Sequence, residues 1–234
     1  MKTMIQTMKL NKNVENTYNQ IANTLELLDK KNIISYYYLP EINEDKKNNI
    51  QQITWIDTEG GRSVSGKAFL RIEQYLHILR TKAYHALLTD NSIIRCSFCF
   101  EGSELISQNL LWWPCPIIVE QDVENGMGLI ETIENYLNEK DTALRLQMRS
   151  PVRIDFDVNN DKDLHPRAHM HIQHPDCRIN TNEPVCFNKF IKHILINYYP
   201  DIDVDFKHWD YLTYHYKDKH KKSQYYNKTQ FNII

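Results

Sequence analysis

The chain has 234 residues, 41% of them apolar and 25% charged. That is enough for one generous core or two small ones, and it excludes collagen-like, disordered and membrane-spanning architectures. Lys and Arg number 28 against 30 Asp and Glu, a formal charge of −2, so no global charge advertises nucleic acid or a membrane surface.

The opening MKTMIQTMKL lacks the apolar run of a signal peptide. Five cysteines at irregular spacing make a poor disulfide framework, and together these features predict a cytoplasmic protein without membrane contact. Residues 13–29 read as a helix with Val14, Tyr18, Ile21, Leu25 and Leu28 on one stripe and Asn13 as N-cap. IISYYYL (33–39) and QITWID (52–57) read as strands. The charged PEINEDKKNN (40–49) between them reads as a solvated loop and a segment boundary. A helix is predicted at about 67–79, carried by Phe69, Ile72, Leu76 and Leu79.

AYHALL (83–88), SIIRCSFCF (92–100) and ELISQNLLWW (104–113) are apolar runs separated by Thr89-Asp90-Asn91 and Glu101-Gly102-Ser103. Turns that short leave no room for crossover helices, so an antiparallel meander is predicted over 83–113. A helix at about 127–139 follows, then strand-like RSPVRIDFDV (149–158), HPRAHMHIQH (165–174) and CRIN (177–180). Phe187, Phe190, Ile191, Ile194, Leu195 and Tyr198 follow helical spacing until Pro200. The expected fold class is α+β, an antiparallel sheet made of the meander plus C-terminal strands, with helices packed on one face. The expected organisation is an N-terminal segment (1–60), a core (61–205) and a basic aromatic tail (206–234).

Three motifs are weighed and declined. Gly61 to Lys67 match GxxxxGK, but Ala68 stands where a P-loop needs a hydroxyl for Mg²⁺, and a turn explains the residues. Arg80 and His85 have the R-x4-H spacing of a helical ribonuclease family, yet His85 falls in a predicted strand. Cys96 and Cys99 are three apart on a strand, so they point to opposite faces and cannot share a metal. The tail segment YLTYHYKDKHKKSQYYNK (211–228) interleaves basic and aromatic residues. Lys219, Lys221 and Lys222 there are candidates for phosphate attraction, and a solvated terminus is the plainer reading.

The cluster at 153–178 carries more. On a strand, Arg153, Asp155 and Asp157 share one face and Ile154, Phe156 and Val158 the other; His169, His171 and Gln173 likewise oppose Met170 and Ile172. Burying both apolar sets turns both polar sets the same way. If the strands pair, Asp155 or Asp157 comes within about 5–8 Å of His169 or His171. His165, His174, Asp176 and Arg178 lie within a few residues. Carboxylate and imidazole suit a divalent metal such as Mn²⁺, Mg²⁺, Fe²⁺ or Zn²⁺. Alternatively an imidazole acts as general acid or base while Arg153 or Arg178 binds phosphate. An exposed polar sheet face held by ion pairs needs neither.

Several segments resemble a bacterial family known as domain of unknown function 2290: TKAYHALLTDNSIIRCSFCF, NLLWWPCPI, LRLQMRSPVRIDFD, HPRAHMHIQHPDCRI and FNKFIKHILINYYP. A turn usually written Asp-Gly-Ser stands here as Asp90-Asn91-Ser92. The PCP element is Pro114 to Pro116, RxDFD is Arg153 to Asp157, and the HP…H element is His165, Pro166 and His169. The resemblance spans roughly 60–200 and implies a small α+β cytoplasmic protein without an assigned activity. A looser similarity to bacterial toxin-like proteins, which pair an Arg-x-Asp strand with downstream histidines, points to toxin–antitoxin or antiphage-defence roles.

The function expected from these residues is a nuclease-like effector acting on RNA or DNA. Asp155, Asp157, His169 and His171 are its candidate catalytic or metal-binding groups, and Arg153, Arg178 and the tail lysines its substrate contacts. The rival is a non-catalytic adaptor or antitoxin-like subunit that holds an operon-encoded protein or a nucleic acid on the same face. As an exposed group, His169 is expected to matter little to thermal stability.

Overall fold

A computed structural model describes residues 10–56, 71–119, 128–161, 165–172 and 176–217. Helix α1 (Lys12–Lys30) is capped by Asn11, whose side chain accepts from the Asn13 amide at 2.9 Å. The helix therefore begins before Asn13, which instead donates its side-chain amide to the Ser103 carbonyl. Val14, Ile21, Leu25 and Leu28 form its buried stripe.

The short strands β1 (Ile34–Tyr37), β2 (Glu41–Asp45) and β3 (Ile50–Thr54) come next. Residues 40–49 thus correct the loop reading: β2 forms a hairpin with β3, in register from Glu41↔Thr54 to Asp45↔Ile50. Its side chains are mostly solvated, so the pairing rests on backbone hydrogen bonds that a charge-based reading cannot register. Helix α2 (Ile72–Arg80) precedes the meander β4 (Ala86–Leu88), β5 (Ile93–Glu101) and β6 (Glu104–Trp113). The meander is antiparallel as predicted. Asn91 adopts φ +63° and Gly102 φ +59° at its two turns.

Helix α3 (Leu129–Asn138) and the short α4 (Thr142–Arg145) lead to β7 (Val152–Asp157), β8 (Ala168–Ile172), β9 (Ile179–Asn180) and helix α5 (Phe187–Tyr198). The nine strands among the described residues join one sheet in the order β1-β4-β5-β6-β7-β8-β9, with β3 and then β2 attached along the other half of the β5 edge. The fold class is α+β, and β1, β2 and β3 belong to the same sheet as the later strands.

Alternation along β5, β6 and β7 sorts the two faces. Ile94, Cys96, Phe98, Leu110, Trp112, Ile154 and Phe156 lie in the main core beneath α1 and α5. Phe187, Phe190, Ile191 and Ile194 of α5 are buried there together. Helices α2 and α3 pack on the opposite face at one end, where Ile93, Leu111 and Trp113 break the polar alternation and give them an apolar seat. The helices therefore cover both faces rather than one. The rest of that second face is polar, and it holds the site. Among the described residues, no helix is long and apolar enough to cross a membrane.

Candidate functional site

The site is built on the antiparallel pairing of β7 with β8. Arg153 stands opposite His171, and Asp155 opposite His169. Asn159, Asn160 and Pro166 lie in the short connection, which leaves no length for a crossover. Because register and face are both fixed by burying Ile154, Phe156 and Met170, the polar side chains of the two strands project together.

The imidazole Nε2 of His171 lies 3.2 Å from Asp155 Oδ2, and that of His169 lies 3.8 Å from the same oxygen. One ligand atom from each of Asp155, His169 and His171 falls within 4.8 Å of the others, closer than cross-strand spacing alone predicts. Arg153 closes the cluster: its Nε is 2.8 Å from Asp155 Oδ2, and its Nη2 donates to His171 Nε2 at 2.8 Å. Asn109 on β6 donates to Asp155 Oδ1 at 2.6 Å. His165 extends the row, with ring centroids 4.7 Å from His169, itself 4.6 Å from His171.

Burial sets the electrostatics. His169 and His171 are each 3% exposed and Arg153 is 7% exposed. This corrects the expectation of a solvated face: both rings and the guanidinium are withdrawn from solvent, and β9 pairs with β8 beyond them. Desolvation lowers the His169 pKa to about 4 despite the opposing pull of Asp155, so the ring is neutral at ordinary pH. Burial pushes the Asp155 carboxyl upward, but His171 and Arg153 outweigh it and hold the pKa below the usual range. Burial, joined by Arg178, lowers the Arg153 pKa against the attraction of Asp155.

The tautomer of His169 follows from its contacts. Its Nδ1 meets the Pro166 carbonyl at 2.6 Å, and a carbonyl only accepts, so the proton is on Nδ1 and Nε2 presents a lone pair toward Asp155. His165 repeats the arrangement, with Nδ1 donating to the Asn160 carbonyl at 3.0 Å. A backbone carbonyl fixing one ring nitrogen while the other faces a carboxylate is the outer support that metal-binding histidines require.

The remaining predicted residues divide. Asp157 lines the same cavity but stays outside the triad; its Oδ1 accepts from the Asn159 amide at 2.8 Å in a turn, and its strand partner is Ser107. Arg178 lies at the cavity wall, 3.7 Å from Asp176. Lys219, Lys221, Lys222, His174, Gln173 and the Gly61–Lys67 motif lie outside the described residues. Cys96 is in the core and Cys99 on the other face, as strand geometry requires. His85 is a fully buried core residue, and the R-x4-H reading falls with it.

The cavity over the cluster is about 420 Å³, within the range that takes a small ligand. It adjoins a groove of about 730 Å³, and Ser97, Ser107 and Asn109 line both. Asn109 and Arg95 escaped the sequence reading. Arg95 had a legible signal, a lone charge inside the apolar run SIIRCSFCF.

An α+β sheet carrying a buried carboxylate–imidazole–guanidinium cluster over a cavity defines the class of molecule. The chain belongs to the family described as uncharacterized conserved protein DUF2290, which matches residues 33–233. The match extends on both sides of the 60–200 span that the motifs suggested, takes in the tail, and leaves out α1. No curated protein and no solved structure matches the chain.

Proposed function

We propose that the Asp155–His169–His171 cluster is a divalent-metal centre and that the protein is a nuclease-like hydrolase of RNA or DNA. The observation that supports this most is the convergence of one carboxylate and two imidazoles within 4.8 Å, with the His169 lone pair directed inward. Two nitrogens and an oxygen suit Mn²⁺, Fe²⁺ or Zn²⁺ better than Mg²⁺, which favours oxygen ligands. Such an ion supplies an activated water near neutral pH. In the reaction the water oxygen bonds to phosphorus, the P–O ester bond breaks, and the leaving oxygen takes up a proton. Arg153 and Arg178 would neutralise the charge that develops on the phosphate. A place in a defence or toxin–antitoxin operon is proposed with this reading, on the toxin-like Arg153–Asp155 strand.

The test is a cleavage assay on mixed RNA and DNA with Mn²⁺ and with EDTA. The hydrolase reading expects cleavage that EDTA abolishes and that falls at least a hundredfold in His169→Gln. One observation favours a second reading, the non-catalytic adaptor. Arg153 already engages the Asp155 carboxylate and the His171 Nε2 that a metal would take, without an ion. A metal-free protein that cleaves neither nucleic acid but co-purifies with a partner would establish the adaptor.

A further inference from the structure

Arg95 sits in the middle of β5 on the polar face and is 0% exposed. Its Nε, Nη1 and Nη2 have no hydrogen-bond partner among the described residues. The guanidinium carbon stands over the Trp55 indole, 4.6 Å from the ring centroid, and Trp55 Nε1 is also buried without a hydrogen-bond partner among those residues. A desolvated guanidinium without an acceptor is among the costliest arrangements a fold can hold. The Asp155 carboxylate, on the same face, is taken up by Arg153 and Asn109.

All four orphaned atoms are donors, so their partner is an acceptor, and beside a fixed positive charge it is an anion. Strand register sets Arg95, Leu111 and Arg153 in one row across β5, β6 and β7, which brings a second guanidinium to the same side. Ser97, two residues along β5, lines both the groove that Trp55 borders and the cavity over the cluster. Donors from a planar fork, an indole and a second guanidinium point from more than one plane. A tetrahedral oxyanion offers oxygens to match, whereas a carboxylate offers them in one plane only.

We propose that Arg95 and Trp55, with Arg153 alongside, form a phosphate subsite that holds a phosphoryl group of the substrate next to the Asp155–His169–His171 cluster. That the phosphate belongs to a nucleic acid rests on the hydrolase reading above; the subsite itself rests on the orphaned donors. The Trp55 indole covers Arg95, so a ligand entering from the groove must turn it aside.

The experiment titrates inorganic phosphate into the full chain in EDTA, followed by tryptophan fluorescence and melting temperature. Saturable binding in the millimolar range or tighter is expected, with a rise in Tm. The fluorescence change should vanish in Trp55→Phe, and Arg95→Lys, which keeps the charge but loses the fork, should weaken binding at least tenfold. Unaltered affinity in Arg95→Lys, or acetate binding as well as phosphate, would overturn the proposal. Should Arg95→Lys fail to fold, the wild-type titration decides: no saturable effect up to about 10 mM phosphate sinks the subsite. Because EDTA removes any metal, phosphate binding without metal-dependent cleavage would uphold the subsite and reject the hydrolase.

Discussion

His85 donates from Nε2 to the Thr54 carbonyl at 3.3 Å and accepts at Nδ1 from the Cys96 amide at 3.1 Å, with its ring fully buried. Burial, reinforced by Arg95 and opposed by the Thr54 bond, lowers its pKa to about 4. Between about pH 6.5 and pH 4 the unfolded chain binds a proton that the folded chain refuses. Stability therefore rises with pH across that window and is lost as pH falls through it, by on the order of 3 kcal/mol for this histidine. Urea titrations at neutral and mildly acid pH should show the loss, and His85→Gln should shrink it; an undiminished loss in the variant would assign the effect to other groups. His169 behaves differently from the exposed group that its sequence position suggests. Its removal in His169→Ala leaves the Pro166 carbonyl without its donor in a buried place, so a cost of about 1–3 kcal/mol is expected in denaturant unfolding. Gln is the better replacement when activity is read.

At the scale of elements, α5 shows how much a periodic run tells. Phe187, Phe190, Ile191 and Ile194 are fixed in one buried patch by spacing alone, and Phe190→Ala should cost about 3–5 kcal/mol, measured by urea unfolding. A loss below about 1 kcal/mol would mean that the helix does not depend on this core. The turn at 90–92 makes a second case. Asn91 holds φ +63°, a region where glycine is free and most side chains are strained. Asn91→Gly should be neutral or slightly stabilising, while Asn91→Ala should cost about 1–2 kcal/mol by the same assay. The strand pairing at the site was legible because RIDFD and AHMHI each alternate strictly, so burying Ile154 and Met170 determines where Asp155 and His169 point. The β2–β3 hairpin was not legible, since Glu41 to Asp45 carry charges on a solvated edge and bury almost nothing. Depth was not legible either: alternation tells which way His171 faces, but not that its ring is 3% exposed.

For the molecule as a whole, one sheet separates two environments. The face under α1 and α5 carries the main apolar core, with Gln51 and Gln108 as buried polar exceptions, while the other is apolar only beneath α2 and α3 and polar elsewhere. Asp155, His169 and His171 stand on paired strands rather than on loops, which holds the cluster in place before any ligand arrives. That rigidity suits a metal site, and it makes stoichiometry the sharpest readout. Purified protein loaded with Mn²⁺ or Zn²⁺ and desalted should retain one ion per chain by elemental analysis, and Asp155→Asn and His169→Gln should each lower the affinity by about 10–100-fold. Wild-type protein that retains no ion, or an Asp155→Asn variant that retains as much as wild type, would contradict the assignment of this cluster as a metal centre.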